Sequence, residues 1–225
     1  MDKKRMILFS IIAVIAFALC HGSFPANAKT MMDTGTPLYD QAGDTFEFGG
    51  VLYEITSIGS SGEYYGTTKA IGRAKENDTS QTVIGISNAS LRVSEGEDGF
   101  KDFQCTEIAK NAFKDDKLIY VLIIDEKTGV QKIPQGAFSN CRKLTYVHIH
   151  GNKLQKIEKN AFSKSKKIRY LGITGSCIKS IDKNAFKKGT KTILNIRSTN
   201  DMKYGKKVKK LLNKAGIKVK KIYTY

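Results

Sequence analysis

One dipeptide at a fixed interval constrains this chain more than any other feature. Ala-Phe recurs at Ala112-Phe113, Ala137-Phe138, Ala161-Phe162 and Ala185-Phe186, at spacings of 25, 24 and 24 residues. Each pair sits in a longer matching stretch: TEIAKNAFKDDKLIYVLI, QKIPQGAFSNCRKLTYVHI, QKIEKNAFSKSKKIRYLGI and KSIDKNAFKKGTKTILNI. An isoleucine precedes each phenylalanine by five residues (Ile108, Ile133, Ile157, Ile181). A strand pattern follows, with apolar positions at Leu118/Val121/Ile123, Leu144/Val147/Ile149 and Ile168/Leu171/Ile173. In the fourth unit the loop is one residue shorter and leaves Leu194 and Ile196. A unit of this length holds one short strand and one short turn of helix, too little to bury a core alone. Stacked units cover one another's apolar faces, so the expected fold is an α/β-type repeat solenoid with a parallel sheet on one side. Alternation along a strand sends Val147 and Ile149 inward and Tyr146, His148 and His150 outward.

At these residues the chain resembles the bacterial surface-antigen (BspA-like) type of leucine-rich repeat, closely over 106–197 and more weakly on either side. The resemblance implies a right-handed solenoid, with adhesion or host-interaction roles in some members. It implies no catalytic residues.

A solenoid needs caps, because its terminal coils otherwise expose the core. Tyr204, Val208, Leu211, Leu212 and Ala215 form one apolar stripe at helical spacing, followed by Gly216 and a strand pattern at Ile217, Val219 and Ile222. Residues 44–71 read as a β-meander with turns at Gly49-Gly50 and Ser60-Ser61-Gly62. The expected division is a signal peptide over 1–28, a flexible leader over 29–43, and a β-rich cap with a degenerate repeat over 44–105. Four repeats over 106–202 and a helix-plus-strand cap over 203–225 follow.

The signal peptide rests on a basic start (Met1–Arg5), an apolar run (Met6–Leu19) and Ala26-Asn27-Ala28 at the cleavage point. That run falls short of the roughly 20 residues that span a bilayer, so no transmembrane segment is expected once the signal is removed. A lipoprotein signal at Cys20 would want a small residue before it, where Leu19 stands. Localisation is therefore expected to be secreted, extracellular or at the cell surface. Three cysteines would remain, Cys105, Cys141 and Cys177, and no disulfide is assigned.

Charge is unevenly placed. Residues 29–105 carry 6 Lys and Arg against 12 Asp and Glu, a net of −6, whereas residues 106–225 carry 29 against 8, a net of +21. Such asymmetry reports on partners rather than on fold.

Catalytic constellations are lacking. Asp33-Thr34-Gly35-Thr36 has the core of an aspartic-protease motif, but lies in an unpatterned leader with no second copy to share a proton. His148 and His150 could clip a metal, yet zinc takes three or four ligands, and Asp125 and Cys177 are in no obvious register with them. No Ser/His/Asp set, phosphate loop or CxxC appears, so neither an enzyme nor a cofactor is expected. Two arrays suit binding. Tyr120, Tyr146 and Tyr170 are expected to stack as an outward column beside Leu122/His148/Gly172/Asn195 and Ile124/His150/Thr174/Arg197, a platform for a sugar ring or peptide. The bland alternative is that tyrosine is a good exposed strand former. Lysines recur on the loop after each Ala-Phe, among them Lys143, Lys166, Lys167, Lys187 and Lys188, and should line one edge as a polyanion-binding strip. The expected partner is a protein or glycan ligand, or an acidic polymer. Nucleic acid is not expected, for want of a recognised module. The alternative function is a polycation held electrostatically on acidic envelope polymers.

Overall fold

The residue before each Ala-Phe decides how the coil turns. Asn111, Asn160 and Asn184 are left-handed, with φ of 59°, 60° and 64°, and Gly136 takes the equivalent place with φ 73°. Only glycine and, at modest strain, asparagine occupy that region routinely, which is why the column reads Asn/Gly/Asn/Asn. A second left-handed residue follows two after phenylalanine in three coils: Asp115, Asn140 and Lys164. Two such residues within five positions leave no room for the helical turn expected in each coil. The chain makes hydrogen-bonded turns instead, joined from coil to coil by Phe113 N–H to Ala137 O, Phe138 N–H to Ala161 O and Phe162 N–H to Ala185 O.

The protein is described from a computed structural model at residue 39 and residues 41–59, 63–74, 82–92, 100–150, 153–174, 178–197 and 201–224. The signal-peptide region, Asp33–Thr36, the Ser60–Gly62 turn and Cys177 lie outside the described residues. Tyr39–Tyr225 forms one compact unit. Its strands are β1 (Thr45–Phe48), β2 (Val51–Ile58), β3 (Gly66–Arg73), β4 (Val83–Ile86), β5 (Ala89–Arg92), β6 (Phe100–Ile108) and β7 (Val121–Ile124). There follow β8 (Lys132–Ile133), β9 (Tyr146–His150), β10 (Lys156–Ile157), β11 (Tyr170–Thr174), β12 (Ser180–Ile181) and β13 (Thr190–Arg197). Helix α1 (Asp201–Lys214) and β14 (Ile217–Thr224) end the chain.

Three sheets result among the described residues. A parallel six-stranded sheet runs β14-β13-β11-β9-β7-β4, and a short parallel one runs β12-β10-β8 across the core from it. A five-stranded sheet, β1-β2-β3-β6-β5, precedes them; Gly49 and Gly50, both at positive φ, make the β1–β2 turn. The short sheet holds Ile133, Ile157 and Ile181 inward, and the long one holds Leu122, Val147, Leu171 and Leu194 inward. Between them Phe113, Phe138, Phe162 and Phe186 stack face to face, with centroids 5.1, 5.3 and 4.9 Å apart. At the far end Tyr204, Val208 and Leu212 of α1 and Ala215 just after it are buried, and β14 pairs parallel with β13.

The first repeat needs a correction. The expected inward set Leu118/Val121/Ile123 is off by one, because β7 pairs Leu122 with Val147 and Ile124 with Ile149. The core residues are Ile119, Leu122 and Ile124. Val121-Leu122-Ile123-Ile124 is apolar throughout, so alternation cannot set its parity. Counting nine residues from phenylalanine, as from Phe138 to Val147 and Phe162 to Leu171, would have given Leu122. The residue that makes the first interval 25 lies after the strand instead.

Candidate functional site

That register decides the outward face. Tyr146 lies opposite Tyr170, and Tyr170 opposite Ile193, but the neighbour of Tyr146 on β7 is Val121, not Tyr120. The tyrosine column is thus two residues long rather than three. The second column is Ile123/His148/Gly172/Asn195, with Ile123 where Leu122 was expected. In the third, His150 and Thr174 pair with Arg197, and Ile124 belongs to the core. Tyr120 stands just before β7 and still reaches the stack at an angle, 5.4 Å from the Tyr146 ring. Tyr146 and Tyr170 are parallel at 4.6 Å. Tyr120 is 41% exposed while Tyr146 is 7% exposed, so the open ring is Tyr120 and Tyr146 is covered. Burial, and then the flanking Tyr120 and Tyr170, push the Tyr146 hydroxyl well above the ordinary tyrosine range.

His148 and His150 do come together, with ring centroids 3.8 Å apart. The His148 imidazole lies over Gly172 of the next strand, where a Cβ would fall 2.5 Å from the ring. Glycine at 172 therefore makes the recess that the histidine fills. Burial, followed by the neighbouring His150, pulls the His148 imidazole from 6.5 to about 3. It stays neutral in the fold while the unfolded chain protonates it below about pH 6.5, so stability is lost as pH falls. The slope approaches about 1.4 kcal/mol per pH unit between the unfolded and folded values. Denaturant midpoints should fall between about pH 7 and pH 5, and His148→Gln should flatten that decline; an unchanged slope in the variant would refute the assignment. Among the described residues no group of three or more His, Cys, Asp or Glu is placed to hold a metal ion. Cys105 and Cys141 are buried free thiols, and burial raises each to about 12.

The lysine strip has a simpler geometry. Lys114, Lys117, Arg142, Lys143, Lys164, Lys166, Lys167, Lys187 and Lys188 are all exposed on the turn that leads into each strand, and Lys191 is exposed at the start of β13. The three ion pairs among the described residues are Lys69–Glu54, Arg73–Asp116 and Lys156–Asp182, and none involves the strip. Lys166 and Lys187, one coil apart, are close enough that Lys166 holds the Lys187 ammonium below its usual pKa. The repeat thus stacks cations whose mutual repulsion the fold does not neutralise.

Two features escaped the sequence reading. One is the Arg73–Asp116 pair, bridging the N-terminal sheet and the first coil. The other is a shallow cleft of about 440 Å³ on the N-terminal sheet. Asp116 stands three residues after its phenylalanine, where Cys141, Ser165 and Gly189 stand in the other coils, so that departure in one column was its visible signal. Among the described residues no helix is long and apolar enough to cross a membrane.

Residues 106–208 match the family described as BspA type leucine rich repeat region, in six copies where the Ala-Phe register counts four. No curated protein matches the chain. A solved structure of a leucine-rich repeat protein from Bacteroides ovatus is 18% identical, with a TM-score of 0.47, over 68% of this chain. The chain spans 38% of that protein's length.

Proposed function

We propose, on the premise that residues 106–208 are a BspA-type leucine-rich-repeat array, that the chain is a secreted or cell-surface binding protein acting through its outer sheet face and basic edge. Adhesion to a host or to the cell's own envelope is the role this reading gives it. The observation that carries it is the lysine strip: exposed cations on successive coils, none paired with a carboxylate among the described residues. Isolated surface charges serve solubility, but a periodic single-sign strip matches the periodic charge of an acidic polymer. Tyr120, beside the Tyr146–Tyr170 stack and the His148–His150 pair, supplies the shaped part of the surface for a protein or glycan.

Binding to immobilised heparin, measured as a function of salt, tests this. Each lysine–anion contact that releases a counterion adds nearly one unit of slope on duplex DNA and less on sparser polymers, so a slope of roughly −3 or steeper is expected. Replacing Lys166, Lys167, Lys187 and Lys188 by Glu should flatten it without unfolding, because these side chains are solvated. Failure to bind heparin at low salt would leave the lysines a solubility role. The second reading, a polycation held on acidic envelope polymers with no shaped site, draws on the shortened tyrosine column. It requires that retention vanish at high salt and that Tyr120→Ala change nothing.

A further inference from the structure

The cleft on the N-terminal sheet has the opposite electrostatic character to the strip. Phe100 and Asp102 project from one side of β6, Ser90 of β5 lies opposite Asp102, and Glu63 and Tyr64 close the other wall. Phe100 is 53% exposed, the most open large apolar side chain among those described. Among the described residues neither Glu63 nor Asp102 has an ion-pair partner, and Lys101 is the single cation on the border. The Tyr64 hydroxyl, anchored by the Asn88 amide at 3.2 Å, is held above the usual tyrosine range by burial and then by Glu63 and Asp102. Open aromatic rings beside unpaired carboxylates suit a cationic side chain, which gains both Coulomb attraction and the ring face.

A cation-dense segment is the chain's own C-terminal cap. Lys203, Lys206, Lys207, Lys209, Lys210 and Lys214 of α1 and Lys218, Lys220 and Lys221 of β14 are all exposed. On α1, Lys203/Lys207, Lys206/Lys210 and Lys210/Lys214 stand four apart, a spacing at which like charges destabilise a helix. An acidic partner relieves that repulsion. The cap cannot reach the cleft of its own chain. β14 and β4 are opposite edges of the six-stranded sheet, five strand spacings or roughly 24 Å apart, and the N-terminal sheet meets the β4 end, where the Tyr53 hydroxyl of β2 donates to the Gly85 carbonyl.

We propose that the acidic, aromatic cleft of one copy receives the lysine-covered C-terminal cap of a second copy, joining chains head to tail. Such a contact uses two different surfaces and does not close on itself, so it propagates into short chains rather than stopping at a symmetric dimer. The excess positive charge of each copy opposes approach at low ionic strength. At about 0.15 M salt that repulsion is screened beyond roughly 8 Å while the local contact survives, and in roughly 1 M salt both are screened. Association should therefore be strongest at intermediate salt.

Sedimentation velocity on residues 29–225, which include the whole compact unit, tests the contact through two complementary variants. Glu63→Lys with Asp102→Lys removes the cleft and keeps the cap. Lys206→Gln, Lys207→Gln and Lys210→Gln remove the charge of the cap and keep the cleft. The parent should show concentration-dependent association, and each variant alone should associate about tenfold more weakly or not at all. Mixed, the two variants should form a one-to-one complex and nothing larger, because one working cleft and one working cap remain. Circular dichroism of each variant separates a lost contact from a lost fold. A parent that is monomeric at every concentration and salt would overturn the proposal. So would a mixture that stays monomeric, or a cleft variant that associates like the parent.

Discussion

Phe138→Ala and Phe162→Ala are each expected to lose about 3–5 kcal/mol of stability, the range for a buried phenylalanine truncated where neighbours cannot close the gap. Both rings are fully buried and each is sandwiched between the phenylalanines of adjacent coils. In a solenoid each coil contacts only its neighbours, so a gap there weakens two interfaces at once. Phe162→Leu should cost less than Phe162→Ala, because it keeps most of the volume and loses mainly the stacked ring. Urea denaturation followed by circular dichroism checks this. An alanine variant within about 1 kcal/mol of the parent would mean that the ladder does not carry the core.

The second large effect belongs to Arg73 and Asp116. The Arg73 Nε donates to Asp116 Oδ2 at 2.6 Å and its terminal nitrogen donates to Oδ1 at 3.1 Å, joining residues 43 apart in sequence. The Asp116 side chain is 8% exposed and that of Arg73 19%. The same carboxylate accepts the Leu118 and Ile119 N–H groups at 2.7 and 3.0 Å, fixing the entry to the first full repeat strand. Burial alone would raise the Asp116 carboxyl, but the Arg73 guanidinium and those two N–H groups outweigh it and hold it below 3.8. Removing either partner strands a buried charge, so Arg73→Ala or Asp116→Ala should cost about 3–5 kcal/mol, and Arg73→Met with Asp116→Leu much less than the sum. Because the folded value lies below the unfolded one, this contribution is present above about pH 4 and is lost as pH falls through the folded value. Single substitutions that proved as mild as the double replacement would show the pair to be incidental.

The separation of these two predictions reflects what a repeat makes visible. Phe138 and Phe162 were legible because four copies of Ile-x-x-x-x-Phe in one register can only mean faces that cover each other. The inward places of Val147, Ile149, Leu171 and Ile173 were legible because polar residues alternate with them. Where alternation stopped, at Val121–Ile124, the reading slipped by one residue and carried Tyr120 into a column it does not share. The lysine strip was found because charge on a turn repeats with the turn. The cleft was not, because Glu63, Tyr64, Ser90 and Phe100 come from segments outside the regular Ala-Phe repeat.

What the sequence determined by itself is therefore the part governed by local and periodic physics. The recurring isoleucine and phenylalanine mark the stacked core, the alternation around Val147 and Leu171 marks the inward face, and the stripe from Tyr204 to Ala215 marks an amphipathic helix. What only the tertiary structure decided is the part governed by pairing across distance. It set the parity of β7, the bridge from Arg73 to Asp116, and the Gly172 recess beneath His148. Those choices follow from how strands from different coils slide against one another. A slide of one residue exchanges the faces of a strand while leaving a uniformly apolar segment such as Val-Leu-Ile-Ile unchanged in sequence terms.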